Sequence, residues 1–278
     1  MNDPTFIIIG AHKAATTSLH YYLKQHPQVY LIPNKGEDIL TQRKIKSIED
    51  ADKYLEQYKD ATNEIALGEV SSVYLHADGV AQRIKHLFPD VKIIAVLRNP
   101  ADRAYSHACF KKKYSRKELK ELQSKLLELT NFIEPGYYYA HLTNYFKLFP
   151  REQIKIMLYD ELVSRPDYFI KELFTFIGVD PNFEVQRDRI YHKGKLKPNL
   201  VTRLTLQLLR SNQQLKHFFQ FILKRILPQL KQLIDQIVEP PIPPLSVQAR
   251  RKLIKIYQND IVQLQELTGL DCSHWLNV

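Results

Sequence analysis

The stretch Phe6-Ile7-Ile8-Ile9-Gly10-Ala11-His12-Lys13-Ala14-Ala15-Thr16-Thr17-Ser18-Leu19 constrains this chain more than any other. A continuous apolar run, Thr5–Ile9, closed by Gly10 reads as a strand buried on both faces, and such strands belong to parallel sheets. Helical spacing follows at Leu19, Tyr22 and Leu23, so a helix over Thr16–Gln25 is expected, stopping before His26-Pro27. The first N–H groups of that helix point at one spot, where the helix dipole also favours negative charge. Lys13 adds a full positive charge, Thr16, Thr17 and Ser18 add hydroxyl donors, and the small Ala14 and Ala15 let a ligand approach the backbone. The set suits a phosphate. Taken alone, the same residues also fit a plain strand-to-helix turn carrying a stray lysine. They do not form the ATP/GTP loop G-x-x-x-x-G-K-[ST], because Ala15 stands five places after Gly10 and Thr16 replaces the required lysine.

The alternation of strand and helix continues. Val29–Ile32, Ile65–Gly68, Val91–Leu97 and Ile154–Tyr159 read as further strands. Ile48–Tyr58 reads as an acidic-basic surface helix, Val80–Phe88 as a helix broken at Pro89, and Pro166–Ile177 as a helix ending at Gly178. Asn99-Pro100 gives a helix start, with Asn as cap and Pro in the first turn, for a helix running to about Lys113. From Asn199 to Val238 the pattern becomes long, apolar and basic. A proline-rich turn at Pro240–Pro244 then precedes a last helix, Ser246–Leu267. The expected fold class is α/β: a P-loop-like three-layer α/β/α arrangement with a central parallel sheet of about five strands and a helical C-terminal extension. There is no internal repeat or low-complexity linker, so residues 1–278 read as one domain, with 199–278 as its helical C-terminal part.

Forty Lys+Arg against thirty Asp+Glu give a net charge of +10, which favours an anionic ligand without choosing one. The two cysteines, Cys109 and Cys272, have no metal-ligand spacing around them, so neither a disulfide framework nor a metal site is expected. No secretory leader is read at Met1–Pro4, and no apolar run approaches the roughly 20 residues needed to cross a bilayer. A cytoplasmic location is expected.

Val91–Leu97 delivers Arg98 to the carboxyl end of a strand, where open α/β sheets place their ligands. Ser106 follows about two helical turns later, so a guanidinium and a hydroxyl converge on a second phosphate, or are ordinary strand-end and helix residues. Taken together, Gly10–Ser18 and Leu97-Arg98-Asn99-Pro100-Ala101-Asp102-Arg103-Ala104-Tyr105-Ser106 resemble the sulfotransferase superfamily. The likeness extends to His26-Pro27-Gln28-Val29-Tyr30, Gly68-Glu69-Val70-Ser71-Ser72-Val73-Tyr74-Leu75, Phe88–Ile94 and Tyr257…Asp260-Ile261…Trp275-Leu276, and it is similar to bacterial enzymes with heparan-type domains. The resemblance implies a sulfotransferase using 3′-phosphoadenosine 5′-phosphosulfate. Lys13, Ala14, Ala15, Thr16, Thr17 and Ser18 would hold the 5′-phosphosulfate, and Arg98 and Ser106 the 3′-phosphate. Lys193-Gly194, in Tyr191–Lys195, matches a further donor contact of the superfamily, or is a solvated basic loop.

By analogy with phosphoryl transfer, Lys13 would stabilise charge on the bridging and leaving oxygens, with no metal required. Heparan-type members carry a catalytic Glu in a segment resembling Lys-Glu-x-His-Phe-Phe. Here that segment is Lys35-Gly36-Glu37-Asp38-Ile39-Leu40, with glycine in the Glu position and no aromatic pair. Glu37, displaced by one residue, is the nearest base, with Asp38 behind it; the other reading makes both solvated loop acids. His12 is a rival base, and Glu69 resembles a recurring family Glu facing the same cleft, or serves a structural role.

The acceptor would be a hydroxyl or amine of a carbohydrate or small metabolite. Lys111-Lys112-Lys113 and Arg116-Lys117 would steer an acidic acceptor or simply face solvent. Tyr137-Tyr138-Tyr139 and Tyr145 would stack a ring or fill a helix core. The basic helices over Arg203–Val238 would meet an acidic membrane surface, cover the acceptor cleft or pack on the core. Nucleic acid is not an expected partner. The competing functions are a nucleotide-dependent phosphotransferase and a non-catalytic nucleotide-binding descendant.

Overall fold

The computed structural model describes residues 3–33, 38–42, 45, 51–111, 114, 116–187 and 242–278. Five parallel strands form one sheet: β1 (Phe6–Gly10), β2 (Val29–Leu31), β3 (Ala66–Val70), β4 (Lys92–Leu97) and β5 (Ile154–Leu158). Their spatial order is β2-β3-β1-β4-β5. The two runs with the strongest apolar signal, β1 and β4, lie side by side at the centre, and Phe6–Ile9 and Ile93–Leu97 are fully buried. A strand covered on both faces has no polar side to show, which is why these segments read as continuous apolar runs.

Helices make the crossovers. The described ones are α1 (Thr16–Leu23), α2 (Asp52–Leu55), α3 (Val80–Leu87), α4 (Pro100–Lys111), α5 (Arg116–Lys125), α6 (Thr130–Ile133), α7 (Tyr138–Leu148), α8 (Tyr159–Ser164), α9 (Pro166–Ile177) and α10 (Val247–Thr268). The chain leaves β1 toward one sheet edge, returns, and then proceeds to the other. Right-handed crossovers therefore put α1 on one face and the later connections on the opposite face, giving three layers.

Two ends are sealed as the sequence foretold. Asn99 caps α4 by accepting from the Ala101 N–H at 3.0 Å. Gly178 ends α9 in the left-handed region, with its N–H reaching Phe174 at 3.0 Å.

Within the expected helix Ile48–Tyr58, the described residues 51–58 depart from expectation, and residues 48–50 lie outside the described ones. In place of a surface helix there is the four-residue α2 followed by a 3₁₀ turn at Glu56–Tyr58, and Tyr54 and Tyr58 are wholly buried. The charge alternation that suggested a surface helix belongs to the outer side of a segment anchored inward by its two tyrosines. Cys109 and Cys272 are free and buried. No helix among the described residues is long and apolar enough to cross a membrane.

α10 closes the far side of the sheet. Asp260 accepts from the backbone N–H groups of Tyr139 (3.2 Å) and Ala140 (3.3 Å), in the first turn of α7, where a carboxylate also meets the positive end of the helix dipole. The Asn99 side-chain amide donates to the Trp275 carbonyl at 3.2 Å, and the Trp275 indole donates to Asp160 at 2.7 Å. The C-terminal segment thus braces the residue beside Arg98.

Gly68 shows how tightly the sheet and its covering side chains meet. It pairs with Phe6, and a Cβ at this position would overlap the Phe6 ring. Gly68→Ala should destabilise the fold by about 1–3 kcal/mol, because the buried ring has no free volume to enter. Urea unfolding of the two proteins checks this.

Candidate active site

The turn after β1 is built from backbone. Gly10 has φ of 150°, and a Cβ there would lie 3.1 Å from the Leu75 Cβ, so glycine meets both a conformational and a packing demand. Lys13 and Ala15 then adopt left-handed conformations, with φ of 69° and 66°. Non-glycine residues pay of order 1 kcal/mol each for that region. Alternating hands of this kind turn successive N–H groups toward one side, making a concavity that favours an anion. Ala15 is the cap residue of α1 and has no side chain to satisfy the helix's first donors. Ala14 and Thr16 are buried, while Thr17 and Ser18 are half-exposed on the first turn.

The structure brings Lys13 and Arg98 together. Arg98 follows β4, and its Nη1 donates to the Lys13 carbonyl at 3.2 Å. Its guanidinium carbon lies 4.8 Å from the centre of the Tyr159 ring, and Tyr138 donates to the Arg98 carbonyl at 2.8 Å. Arg98 is therefore fixed by neighbours from the turn after β1, from α8 and from α7 at once. The Lys13 ammonium sits 3.9 Å from the centre of the Phe110 ring. Burial, and then the Arg98 charge, lower the Lys13 pKa to about 8. Ser106 is half-exposed in the middle of α4. Glu37, Lys193, Gly194 and the helices expected over Asn199–Val238 lie outside the described residues.

The residues matched by the family model for the sulfotransferase domain are 3–220. The chain belongs to the sulfotransferase family. Over 197 residues it is 29% identical to the human bifunctional heparan sulfate N-deacetylase/N-sulfotransferase 2, a match spanning 64% of this chain and 22% of that protein. It is 34% identical over 107 residues to the membrane-associated sulfotransferase kil1 of Dictyostelium discoideum, covering 38% of this chain and 23% of the other. The chain thus matches less than a quarter of the length of these curated relatives. A sulfotransferase from Alicyclobacillus acidocaldarius shares the fold, with a TM-score of 0.69, 24% identity and 99% coverage of each chain.

Several features of this sulfotransferase site were not visible in the sequence. Tyr159 and Phe110, which flank Arg98 and Lys13, come from helices whose rings carry no local signal. Of the tyrosine cluster, Tyr138 and Tyr145 are core residues, fully or almost fully buried. His12 stacks on His107 with ring centres 4.1 Å apart, and burial, then His107 and Lys13, lower its pKa to about 3. It stays neutral. Among the described residues no cluster of His, Cys, Asp and Glu with metal-binding geometry occurs.

Glu69, named from the sequence, is a buried acid. It is the penultimate residue of β3, is 2% exposed, accepts from the Tyr74 hydroxyl at 2.8 Å, and leaves its other oxygen without a hydrogen-bond partner. Burial raises its pKa to about 8, against the Tyr74 and Tyr54 hydroxyls that pull it down. In the unfolded chain Glu69 ionises near the ordinary glutamate value, so from about pH 4.5 to 8 only the unfolded state is charged. Stability therefore falls as pH rises through that window and levels off above it. Glu69→Gln should remove the fall and leave the variant more stable than the parent at pH 8 by up to roughly 4 kcal/mol, with no gain at pH 4. Thermal unfolding across pH 4–8.5 checks the sign.

Proposed function

We propose that this sulfotransferase takes its sulfuryl group from 3′-phosphoadenosine 5′-phosphosulfate and passes it to a hydroxyl or amine of a glycan or small metabolite. The donor's 5′ end would rest on the Lys13–Ser18 turn and its 3′-phosphate on Arg98. Ser106, Lys193 and Gly194 would complete the 3′ side. The observation that carries this reading is the hydrogen bond from Arg98 Nη1 to the Lys13 carbonyl. It makes the cationic tips of β1 and β4 contiguous, so one nucleotide with phosphates on both sides of its ribose can span them. The heparan sulfate N-sulfotransferases among the relatives support an acceptor of the glycan class.

Lys13 would act on the bond that breaks. Sulfuryl transfer moves negative charge onto the bridging oxygen as that oxygen leaves, and a fixed ammonium in a half-buried turn stabilises it without reorganisation. Neutral Lys13 cannot do this. The kcat/KM of the free enzyme should therefore fall as pH rises through about 8, the value set by burial and Arg98. Lys13→Arg should move that falling limb out of the assay range, since a guanidinium stays charged. Lys13→Met should cost about 10²–10³ in kcat.

Calorimetry with two ligands tests the donor. The parent protein should bind 3′,5′-adenosine bisphosphate more tightly than adenosine 5′-monophosphate. Arg98→Ala should erase a preference of about 10–100-fold, corresponding to one charge-assisted contact. Equal affinity for the two nucleotides in the parent would overturn the assignment.

A further inference from the structure

A sulfuryl acceptor must lose a proton, and on the donor reading above no group yet receives it. We propose that the base is Asp38, held by Ser71 at the tip of β3. On that reading the donor runs from the β1 tip to the β4 tip. In the strand order β3 flanks β1 on the opposite side, so the β3 tip borders the side of the Lys13 turn left for the acceptor.

Three observations place Asp38 there. Ser71 follows β3, and its N–H donates to the Ile8 carbonyl at 2.9 Å, so it is fixed two residues before Gly10. The turn after it packs on Gly10, where a Cβ would lie 3.1 Å from the Leu75 Cβ and 3.5 Å from the Ser72 carbonyl. Finally, the Ser71 hydroxyl accepts from the N–H groups of Val73 (3.1 Å) and Tyr74 (3.3 Å). That orients its single proton toward Asp38 Oδ1, at 2.7 Å.

The turn carrying Asp38 is held independently. The Leu40 N–H donates to the Tyr74 hydroxyl at 3.2 Å, and Arg83 Nε donates to the Leu40 carbonyl at 2.7 Å. The Thr41 hydroxyl donates to the Asp38 carbonyl at 2.7 Å. Asp38 itself has φ of 43°, a conformation that aspartate tolerates better than most residues. A solvated loop acid would have none of these ties. With Oδ1 engaged by Ser71, Oδ2 is the oxygen assigned to the acceptor's proton.

The rivals fail on placement. Glu69 is sealed beneath the site with Tyr74. His12 is stacked on His107 on the α4 side of the turn, and its depressed pKa makes it a weak base. In the step proposed, the acceptor hydroxyl or amine gives its proton to Asp38 Oδ2 and its lone pair forms the new bond to sulfur. The bond from sulfur to the 5′-phosphate oxygen breaks, and its electron pair leaves on that oxygen beside Lys13. Asp38 then releases the proton to water.

The test compares Asp38→Asn with Glu37→Gln in the full chain. The probes are sulfuryl transfer to N-desulfated heparan sulfate and hydrolysis of the donor, in which water takes the acceptor's place. Asp38→Asn should lower kcat by about 10²–10⁴ while binding of 3′,5′-adenosine bisphosphate and the unfolding temperature stay at parental values. Asp38→Glu should recover part of the loss. Ser71→Ala should reduce kcat more than it raises KM, because it frees the carboxylate without touching the donor. If Asp38→Asn keeps parental kcat, or Glu37→Gln suffers the larger loss, the assignment is overturned. Failure of the parent protein to bind the nucleotide would instead bring down the donor reading.

Discussion

The site depends on β1 being hydrogen-bonded along both edges. Ile8 pairs with Val70 on one side and Ile94 on the other, and Gly10 pairs with Ala95. Neighbouring strands lie about 4.8 Å apart, so the turns leaving β3, β1 and β4 emerge from one edge of the sheet within roughly 10 Å. Ser71, Lys13 and Arg98 leave one edge of the sheet because of that register, and Arg98 meets Lys13 there. A slip by one residue would turn every side chain of β1 to the opposite face and take the Phe6 ring off Gly68, whose missing Cβ leaves room for it.

The electrostatics of this edge follow from the same crowding. Lys13 and Arg98 lie close enough for Arg98, after burial, to lower the Lys13 pKa. Below them Arg103 is fully buried and donates to the Phe132 carbonyl, but has no ion pair among the described residues. Its charge helps to keep His12 and His76 neutral, after burial and their nearer neighbours. A cluster of like charges is destabilising by itself. It becomes favourable when an anion arrives, which is the state a sulfotransferase uses.

Much of this was legible in the chain. β1 and β4 declared themselves by unbroken apolar runs, and α4 by its Asn99-Pro100 start. Lys13 and Arg98 could be placed at strand tips because both follow such runs directly. The misreading at Ile48–Tyr58 has a local cause: Asp52, Lys53, Glu56 and Lys59 give a surface pattern, while the partners of Tyr54 and Tyr58 are supplied by distant chain. Tyr54 packs on Phe88, and Tyr30 approaches Tyr58. Likewise, the Ser71–Asp38 bond joins residues 33 apart across two strands, and Tyr159 meets Arg98 only through the pairing of β4 with β5. Contacts of that range are set by topology, and no periodicity encodes them.

The segment that departs from the heparan-type pattern becomes intelligible in this light. On the resemblance drawn from the sequence, Gly36 stands where that pattern has its acid, and Ile39-Leu40 stand where it has an aromatic pair. Yet Ile39 and Leu40 are 3% and 0% exposed, so they still supply the apolar anchor that fixes such a turn to the body of the protein. Their 3₁₀ turn brings the Leu40 N–H to Tyr74 and leaves Asp38 at its start, beside Ser71. The turn is tied to Tyr74 through the Leu40 N–H and to Arg83 through the Leu40 carbonyl, so the carboxylate at its start is held within reach of the Ser71 hydroxyl.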